Sequence, residues 1–128
     1  MTKLQEEELL KEFIDAQAIL KGHFILSSGL HSDTYIQCAG VLMNPVKAEK
    51  LCKILAKKVI DKLGNNFADI VVSPAMGGVI VGFELSKHLG LKSIFCERVD
   101  GKFTLRRGFN LKKDSRVLVV EDGSLLKI

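Results

Sequence analysis

Two adjacent carboxylates, Glu121 and Asp122, directly follow a run of four apolar residues at 117–120. Such an unbroken β-prone run predicts a strand of a parallel sheet that is buried on both faces. The carboxyl end of such a strand is where open α/β sheets bind ligands. Two neighbouring acids repel each other, so they could accept the diol hydroxyls of a ribose or hold a cation. The alternative is that they simply end a strand in solvent.

A glycine-bearing turn is the second group of residues that could hold a ligand. A predicted strand, 69–73, and a predicted helix, 79–89, flank this turn. It contains Ala75, Met76, Gly77 and Gly78. Glycines let the backbone approach an anion closely, and the free amides of a helix N-terminus favour phosphate or pyrophosphate. The spacing matches neither a dinucleotide fingerprint nor a Walker loop, so a purely structural turn fits the pattern equally well.

The positive charge of the chain is concentrated in one segment. Residues 98–113 hold six Lys and Arg against Asp100 alone, which is +5 in a chain whose formal net charge is +4. Asp100-Gly101 is a turn signal, so the segment predicts a hairpin that could close as a mobile flap over a diphosphate. The cations around its turn are Arg98, Lys102, Arg106 and Arg107. The alternative is a basic hairpin exposed to solvent.

Periodicity and capping signals predict the elements that position these residues. A helix is expected over residues 2–20, and Asn44-Pro45 begins a second helix that Gly64 ends. The strand, turn, helix and strand over residues 69–96 form a βαβ unit, which predicts a parallel sheet and an α/β fold.

Between the two predicted helices, residues 21–42 consist of short extended pieces broken by turns. Hydroxyls and amides around Ser28 and Gly29 could line a pocket, although Ser/Gly turns are more often only turns. Tyr35 is one of the apolar anchors of this region.

Composition bounds the class of protein. A length of 128 residues indicates one domain, and no apolar run approaches the length of a membrane span. The acidic N-terminus lacks a signal pattern, so we expect a cytoplasmic protein with no membrane partner. Cys38, Cys52 and Cys96 form no Cys-x-x-Cys pair, so we expect buried thiols rather than a disulfide or zinc site. No motif supports nucleic-acid binding.

Four motifs in this order resemble orotate phosphoribosyltransferases, of the type I phosphoribosyltransferase family. They are residues 27–35, residues 73–78, residues 97–109 and residues 117–122. The resemblance implies a parallel-sheet phosphoribosyltransferase core with a small N-terminal hood. The hood would be residues 1–42, and residues 43–128 would be a partial α/β core, truncated at its C-terminus, within one domain.

The resemblance also implies an activity. Ribose 5-phosphate would pass from phosphoribosyl pyrophosphate to orotate, giving orotidine 5′-monophosphate and pyrophosphate in pyrimidine biosynthesis. Mg²⁺ would bridge the diphosphate and the sugar, held through the substrate, with possible help from the acidic pair. The family forms homodimers in which the flap serves the neighbouring site.

The resemblance carries roles onto individual residues. Glu121 and Asp122 would hold the ribose hydroxyls, and the backbone of Ala75, Met76, Gly77 and Gly78 would bind pyrophosphate. Arg98 and Lys102 would be the catalytic cations of the flap, with Arg106 and Arg107 as further candidates. Ser28, Gly29 and Tyr35 would lie near orotate.

The sequence also departs from the family pattern. Ser27 and Gly77 stand where one branch has lysines, and Asp122 is followed by Gly123 to Ile128 where the family has its 5-phosphate loop. We therefore expect the chain as written to be impaired or inactive, with an uncovered sheet edge or face. The alternative function is a non-catalytic phosphoribosyltransferase-fold protein with a binding or regulatory role.

Overall fold

The computed structural model describes residues 2–26 and 28–122. The elements are α1 (Lys3–Asp15), β1 (Ile19–Ile25), β2 (His31–Ile36), α2 (Cys38–Leu42), α3 (Pro45–Leu63), β3 (Ile70–Pro74), α4 (Gly78–Leu89), β4 (Lys92–Val99), β5 (Lys102–Leu105) and β6 (Val117–Val119). No helix in these described ranges is long and apolar enough to cross a membrane.

The strands form two sheets. Strands β1 and β2 make an antiparallel hairpin, and the larger sheet has the order β5-β4-β3-β6. Strand β3 runs parallel to both β4 and β6, as the βαβ pattern predicts, whereas β5 pairs antiparallel with β4. The α/β prediction is therefore confirmed, with a mixed sheet in place of a wholly parallel one.

Capping residues set the helix boundaries. The Thr2 side chain accepts a hydrogen bond from the Gln5 amide, and the Thr2 amide donates to the Gln5 side chain, which forms a capping box at the start of α1. The Asn44 side chain caps α3, whose first residue is Pro45, and Gly64 ends it. The first helix is shorter than expected, because the chain turns after Asp15 and enters β1 at Ile19.

The core lies between α3, α4 and one face of the larger sheet. Its buried residues are Leu42, Ala48, Cys52, Ala56, Val71, Val81, Leu85 and Val120. Small residues dominate the α3 contribution, so α3 can approach α4 closely. Burial raises the pKa of the Cys52 thiol to about 11. Cys38 and Cys96 are only partly buried, so the expectation of three buried thiols holds for Cys52 alone.

The prediction that residues 117–120 are buried on both faces is wrong. Strand β6 is at one edge of the larger sheet and pairs only with β3 in the described chain. Leu118 and Val120 face the core, whereas Val119, on the other face, is 62% exposed. An edge strand covered by helices on one side explains the difference, since continuous apolar sequence does not distinguish one-sided from two-sided burial.

Replacing Leu85 with Ala tests the importance of the α4 contact. Leu85 is fully buried in the core, so we expect the free energy of unfolding to fall by about 2–5 kcal/mol. Urea denaturation followed by circular dichroism measures this loss. The matched control is Leu10→Ala on the exposed side of α1, which we expect to change stability by less than about 0.5 kcal/mol. Equal losses in the two variants would contradict this assignment of the core.

Candidate active site at the carboxyl edge of the sheet

The parallel pairing of β3 and β6 places their carboxyl ends side by side. Val72 is paired with Val119, and the Val120 amide donates to the Val72 carbonyl at 3.1 Å, which continues the pairing beyond β6. Glu121 and Asp122 therefore emerge beside the turn that follows β3. The sheet brings together two groups that are more than forty residues apart in sequence.

Gly77 makes this juxtaposition possible. A Cβ atom on Gly77 would overlap the Asp122 carboxylate, with 2.8 Å to Asp122 Cγ. At Gly78 a Cβ would be 2.9 Å from Pro74 Cδ and 3.0 Å from the Val120 carbonyl oxygen. Contacts this short are rare for real side-chain atoms. Glycine at 77 therefore lets the turn lie against the Asp122 carboxylate, and glycine at 78 lets it lie against Pro74 and the Val120 carbonyl.

The turn contains two amides that have no backbone acceptor outside the helices and strands of the described chain. Gly77 is the N-cap of α4 and makes no side-chain capping bond. Within the described chain, the Met76 and Gly77 amides donate to no backbone carbonyl outside the helices and strands, whereas Val79 donates to the Met76 carbonyl at 3.2 Å. Unsatisfied amides at the positive end of a helix dipole favour an anion.

Ala75 differs from the other residues of the turn. Its amide donates to the Cys96 carbonyl at 2.8 Å and so extends the pairing of β3 with β4. The peptide bond between Ala75 and Met76 is cis. The donors open to a ligand therefore begin after Ala75.

Glu121 carries a buried polar atom without a partner. Its Oε2 atom is inaccessible to solvent and accepts no hydrogen bond from the described residues. A buried carboxylate oxygen without a donor is costly, so a turn of the Glu121 side chain that gives this atom a donor would lower the free energy of the site. The pKa of the Cys38 thiol is raised, mainly by its burial and to a smaller extent by the negative charges of Asp122 and Glu121.

An apolar cavity of about 230 Å³ opens beside the acidic pair. It is lined by Leu9, Cys38, Leu42, Leu51, Ile54, Leu55, Lys58, Val81, Glu121 and Asp122. Sequence reasoning did not include Cys38 or Lys58 in the site. Neither belongs to a motif, and only the packing of α2 and α3 places them at this cavity.

The basic hairpin is at the same edge of the sheet. Pro74 at the end of β3 pairs with Cys96, so the last three residues of β4 project beyond it. Asp100 and Gly101 form the predicted turn, with φ values of 49° and 79° that match a two-residue hairpin loop. Arg98 stacks on the Phe103 ring, with its Cζ atom 4.8 Å from the ring centroid.

The flap cations differ in whether their side chains are already hydrogen-bonded. Arg107 donates two hydrogen bonds to the Glu97 carboxylate, both at 3.2 Å, so it braces the base of the hairpin. Lys102 and Arg106 make no ion pair or side-chain hydrogen bond with any described residue. Arg107 is therefore the flap cation least available to a ligand.

No hydrogen bond or ion pair joins the hairpin to the glycine turn or the acidic pair in the described ranges. Strand β5 is separated from β6 by β4 and β3, which corresponds to about 14 Å across the sheet. The structure thus brings the turn and the acidic pair together, and it holds the flap apart from them.

The N-terminal hairpin is also separate from this edge. Gly29 donates to the Leu26 carbonyl at 2.8 Å, Leu30 donates to Ser28 Oγ at 3.3 Å, and Tyr35 packs on Phe24 with 5.6 Å between ring centroids. None of these three predicted site residues, Ser28, Gly29 and Tyr35, lines the cavity at the acidic pair. The departures noted at Ser27 and residues 123–128 lie outside the described residues.

Solved structures share this fold. UMP synthase of Leishmania donovani matches with a TM-score of 0.65 at 20% identity, over 88% of this chain and 24% of that one. The orotate phosphoribosyltransferase of Francisella tularensis matches with a TM-score of 0.62 at 21% identity, over 89% of this chain and 55% of that one. The fold is therefore that of a type I phosphoribosyltransferase core.

Sequence comparison narrows this class. The chain is 55% identical over 119 residues to the orotate phosphoribosyltransferase of Rhizorhabdus wittichii, covering 93% of this chain and 60% of that protein. It is 53% identical over 119 residues to that of Erythrobacter litoralis, covering 93% and 61%. The resemblance seen in the motifs is confirmed: the chain is a relative of the orotate phosphoribosyltransferases.

The chain spans about 60% of the length of the curated relatives that it matches. No family model matches it.

The brace at the base of the flap can be tested by titration. Hydrogen bonds from Arg107 hold the pKa of the Glu97 carboxyl below its ordinary value. We expect Arg107→Gln to raise the pKa of Glu97 toward that ordinary value, as measured by NMR of the side-chain carboxyl. Because the folded-state pKa is the lower one, the pair stabilises the protein above the ordinary carboxyl pKa, and this stability is lost as pH falls through the lowered pKa.

The matched control is Arg106→Gln. Arg106 acts on Glu97 only through its charge, so this variant should move the pKa of Glu97 less than Arg107→Gln does. Equal shifts in the two variants would show that the direct hydrogen bonds are not the cause.

Proposed function

We propose that this chain carries the phosphoribosyl pyrophosphate site of an orotate phosphoribosyltransferase. The reaction transfers ribose 5-phosphate from phosphoribosyl pyrophosphate to orotate and yields orotidine 5′-monophosphate and pyrophosphate. The observation that carries this proposal is the contact between Gly77 and Asp122, which joins an anion-binding turn to a pair of acids at one edge. The identity with orotate phosphoribosyltransferases supports the choice of orotate over another acceptor.

The acidic pair binds the ribose in this proposal. Glu121 and Asp122 accept hydrogen bonds from the 2- and 3-hydroxyls through their carboxylate oxygens. Gly77 and Gly78 allow the diphosphate to approach the N-terminus of α4, where the amides from Met76 onward donate to it. Ala75 contributes backbone shape rather than a donor, because its amide is already paired.

Mg²⁺ fits this donor set only as an ion held largely by the substrate. The described residues contain no group of three or more His, Cys, Asp or Glu side chains that could hold a metal. Two neighbouring carboxylates are hard oxygen donors of the kind Mg²⁺ prefers, and substrate oxygens and water would complete its shell. When bound, the ion neutralises diphosphate charge and orients it against the sugar.

The chemistry asks the protein mainly for orientation and charge. The ring nitrogen of orotate forms a bond to C1 of the ribose while the bond from C1 to pyrophosphate breaks and its electron pair leaves with pyrophosphate. The sugar becomes cationic between these events, and the leaving group gains negative charge. Donors held in place around the leaving group lower the barrier, because they need no reorganisation as the charge develops.

The flap supplies mobile positive charge to the leaving pyrophosphate. Lys102 and Arg98 are the proposed catalytic cations, and Arg106 is a further candidate with no ion pair in the described chain. Arg107 braces the hairpin through Glu97 instead. The distance across the sheet from the flap to the acidic pair supports a homodimer in which each flap serves the neighbouring site.

The acceptor site is proposed to involve the N-terminal hairpin. Ser28, Gly29 and Tyr35 would contact orotate, a role that rests on the motif resemblance. We also propose a cytoplasmic location, which three free thiols favour because thiols persist in reducing compartments.

A non-catalytic role in binding phosphoribosyl pyrophosphate is the second candidate. The specific observation in its favour is that the turn and the acidic pair meet at one edge of the sheet, whereas β4 and β3 separate the flap from them in the described residues. Binding and turnover distinguish the two functions. Loss of orotate absorbance on adding phosphoribosyl pyrophosphate and Mg²⁺ supports the enzyme, whereas saturable binding with no turnover supports the binder.

Replacing Gly77 with Ala tests the site itself. The added Cβ displaces the Asp122 carboxylate, so we expect the affinity for phosphoribosyl pyrophosphate, measured by calorimetry with Mg²⁺, to fall about tenfold or more. Because the displaced group is the end of a side chain, the thermal midpoint should change little.

Gly40→Ala is the matched control for this experiment. Its new Cβ would meet the Ala16 carbonyl oxygen at an ordinary 3.5 Å, so its affinity should equal that of the wild type. Undiminished binding by Gly77→Ala, or no binding by the wild type, would contradict the proposed site.

A further inference from the structure

The N-terminal hairpin places two histidines side by side. His23 on β1 and His31 on β2 have ring centroids 4.8 Å apart and ring planes at 85°. Both residues are exposed to solvent. Neither imidazole makes a hydrogen bond or ion pair with another residue in the described ranges, so a neutral ring keeps a nitrogen lone pair available for a ligand. We call His23 and His31 the histidine pair.

Strand pairing puts the two histidines on one face of the hairpin. Ile25 is paired with His31, and side chains two residues apart on a strand point to the same face. His23 therefore lies on the face of His31 as its diagonal neighbour, within reach of its ring. The backbone thus holds the two imidazoles close together before any ligand is bound.

A β-bulge accompanies the histidine pair. The register of the hairpin shifts between Lys21 and Phe24, because β1 has one residue more than β2 in this stretch. His23 belongs to the inserted stretch. Bulges bend a strand, increase its twist and re-aim its side chains, and they are over-represented beside functional sites. A bulge at His23 is therefore a feature that a ligand site would use.

The spacing of the two rings suits a shared metal ion. A zinc ion lies about 2.0–2.1 Å from a histidine nitrogen, which puts it roughly 3.2 Å from the ring centroid. Two imidazoles on one ion, with a ligand angle between about 90° and 110°, then have centroids roughly 4.5–5.2 Å apart. The observed separation of 4.8 Å lies within this interval. Exposed imidazoles can turn about the Cβ–Cγ bond to direct both nitrogens at the ion.

The donor atoms select the class of ion. Imidazole nitrogen suits zinc, copper and nickel, whereas Mg²⁺ takes oxygen ligands. The described residues contain no group of three His, Cys, Asp or Glu side chains placed for a metal, and the acid of β2, Asp33, accepts a hydrogen bond from Thr34 at 3.0 Å. Water would therefore complete the coordination shell, which makes the site open rather than closed.

We propose that the histidine pair is a binding site for a divalent transition-metal ion of the zinc, nickel and copper class. One nitrogen of each imidazole coordinates the ion, which links β1 to β2. These strands flank the turn that contains Ser28 and Gly29, so a bound ion holds both sides of that turn. Any effect of the ion on the acceptor site rests on the proposed function, whereas the metal binding itself does not.

His88 provides a comparison within the same chain. It is the third of the three histidines, and its Nε2 atom lies 3.3 Å from Glu84 Oε1 on the same helix. Its side chain is only 15% exposed. The nitrogen of His88 thus faces a carboxylate, whereas the histidine pair faces solvent. The same substitution can therefore be compared at an open and at an occupied histidine.

Calorimetric titration of the untagged chain with Zn²⁺ tests the proposal. Excess Mg²⁺ is present, because it competes for oxygen ligands such as the acidic pair and not for imidazole. We expect one Zn²⁺ per chain. Loss of a residue that only orients a metal ligand already costs about ten- to hundredfold in affinity, so His23→Gln and His31→Gln should each weaken binding at least about tenfold. His88→Gln is the matched control and should bind like the wild type.

NMR of the histidine ring protons gives a second measurement. Zn²⁺ should shift the signals of His23 and His31 together, at one ion per chain, and leave the signal of His88 in place. The three Gln variants assign the signals, and circular dichroism checks that each variant remains folded. Zn²⁺ binding that shifts neither signal of the histidine pair would overturn the proposal.

The outcomes separate this proposal from the proposed function. No Zn²⁺ binding by the folded wild-type chain would mean that the two histidines make a ring contact only, and it would overturn the proposal. Equal affinity of all three Gln variants would place the ion at the thiols or the acidic pair and would overturn it as well. A chain that binds Zn²⁺ at the histidine pair but no phosphoribosyl pyrophosphate would contradict only the proposed function.

Discussion

The parallel pairing between β3 and β6 is the constraint on which the candidate site depends. It brings the turn after Pro74 against the acids after Val120, and the missing side chain of Gly77 lets Asp122 occupy that space. Beside this contact, the amides of Met76 and Gly77 donate to no backbone carbonyl outside the helices and strands of the described chain. Donors for an anion and acceptors for hydroxyls are therefore neighbours before any ligand arrives.

Stability and function draw on different parts of the same elements. The inner side of α4 holds the core through Val81 and Leu85, its N-terminus faces the site, and its outer side is apolar and exposed. In β4 the first residues pair with β3, whereas the last three extend beyond β3, pair with β5 and form the flap. The rigid ends of these elements hold the acids and amides, and the projecting end carries the cations. Such a division would suit the proposed site, in which the sugar is held by fixed groups and the flap leaves room for entry.

Local signals predicted much of this arrangement. The capping residues Thr2 and Asn44, the Asp100-Gly101 turn and the βαβ pattern each act over a few residues, so sequence alone reveals them. The one-sided burial of β6 was missed because it depends on the order of strands. Two hydrogen bonds were also missed, from Arg107 to the Glu97 carboxylate and from the Ala75 amide to the Cys96 carbonyl. Both depend on how neighbouring strands are aligned, which sequence alone does not reveal. Cys38 reaches the acids only through packing of α2, for which the sequence has no pattern.

The buried oxygen of Glu121 has a consequence for how the site would admit a sugar. Because that atom is closed to solvent and has no donor among the described residues, a hydroxyl could reach it only after the carboxylate turns. If the pair binds ribose as proposed, the hydrogen bond gained by the formerly stranded oxygen would offset the cost of that turn. A sugar that lacks the matching hydroxyl would require the same turn and gain no hydrogen bond.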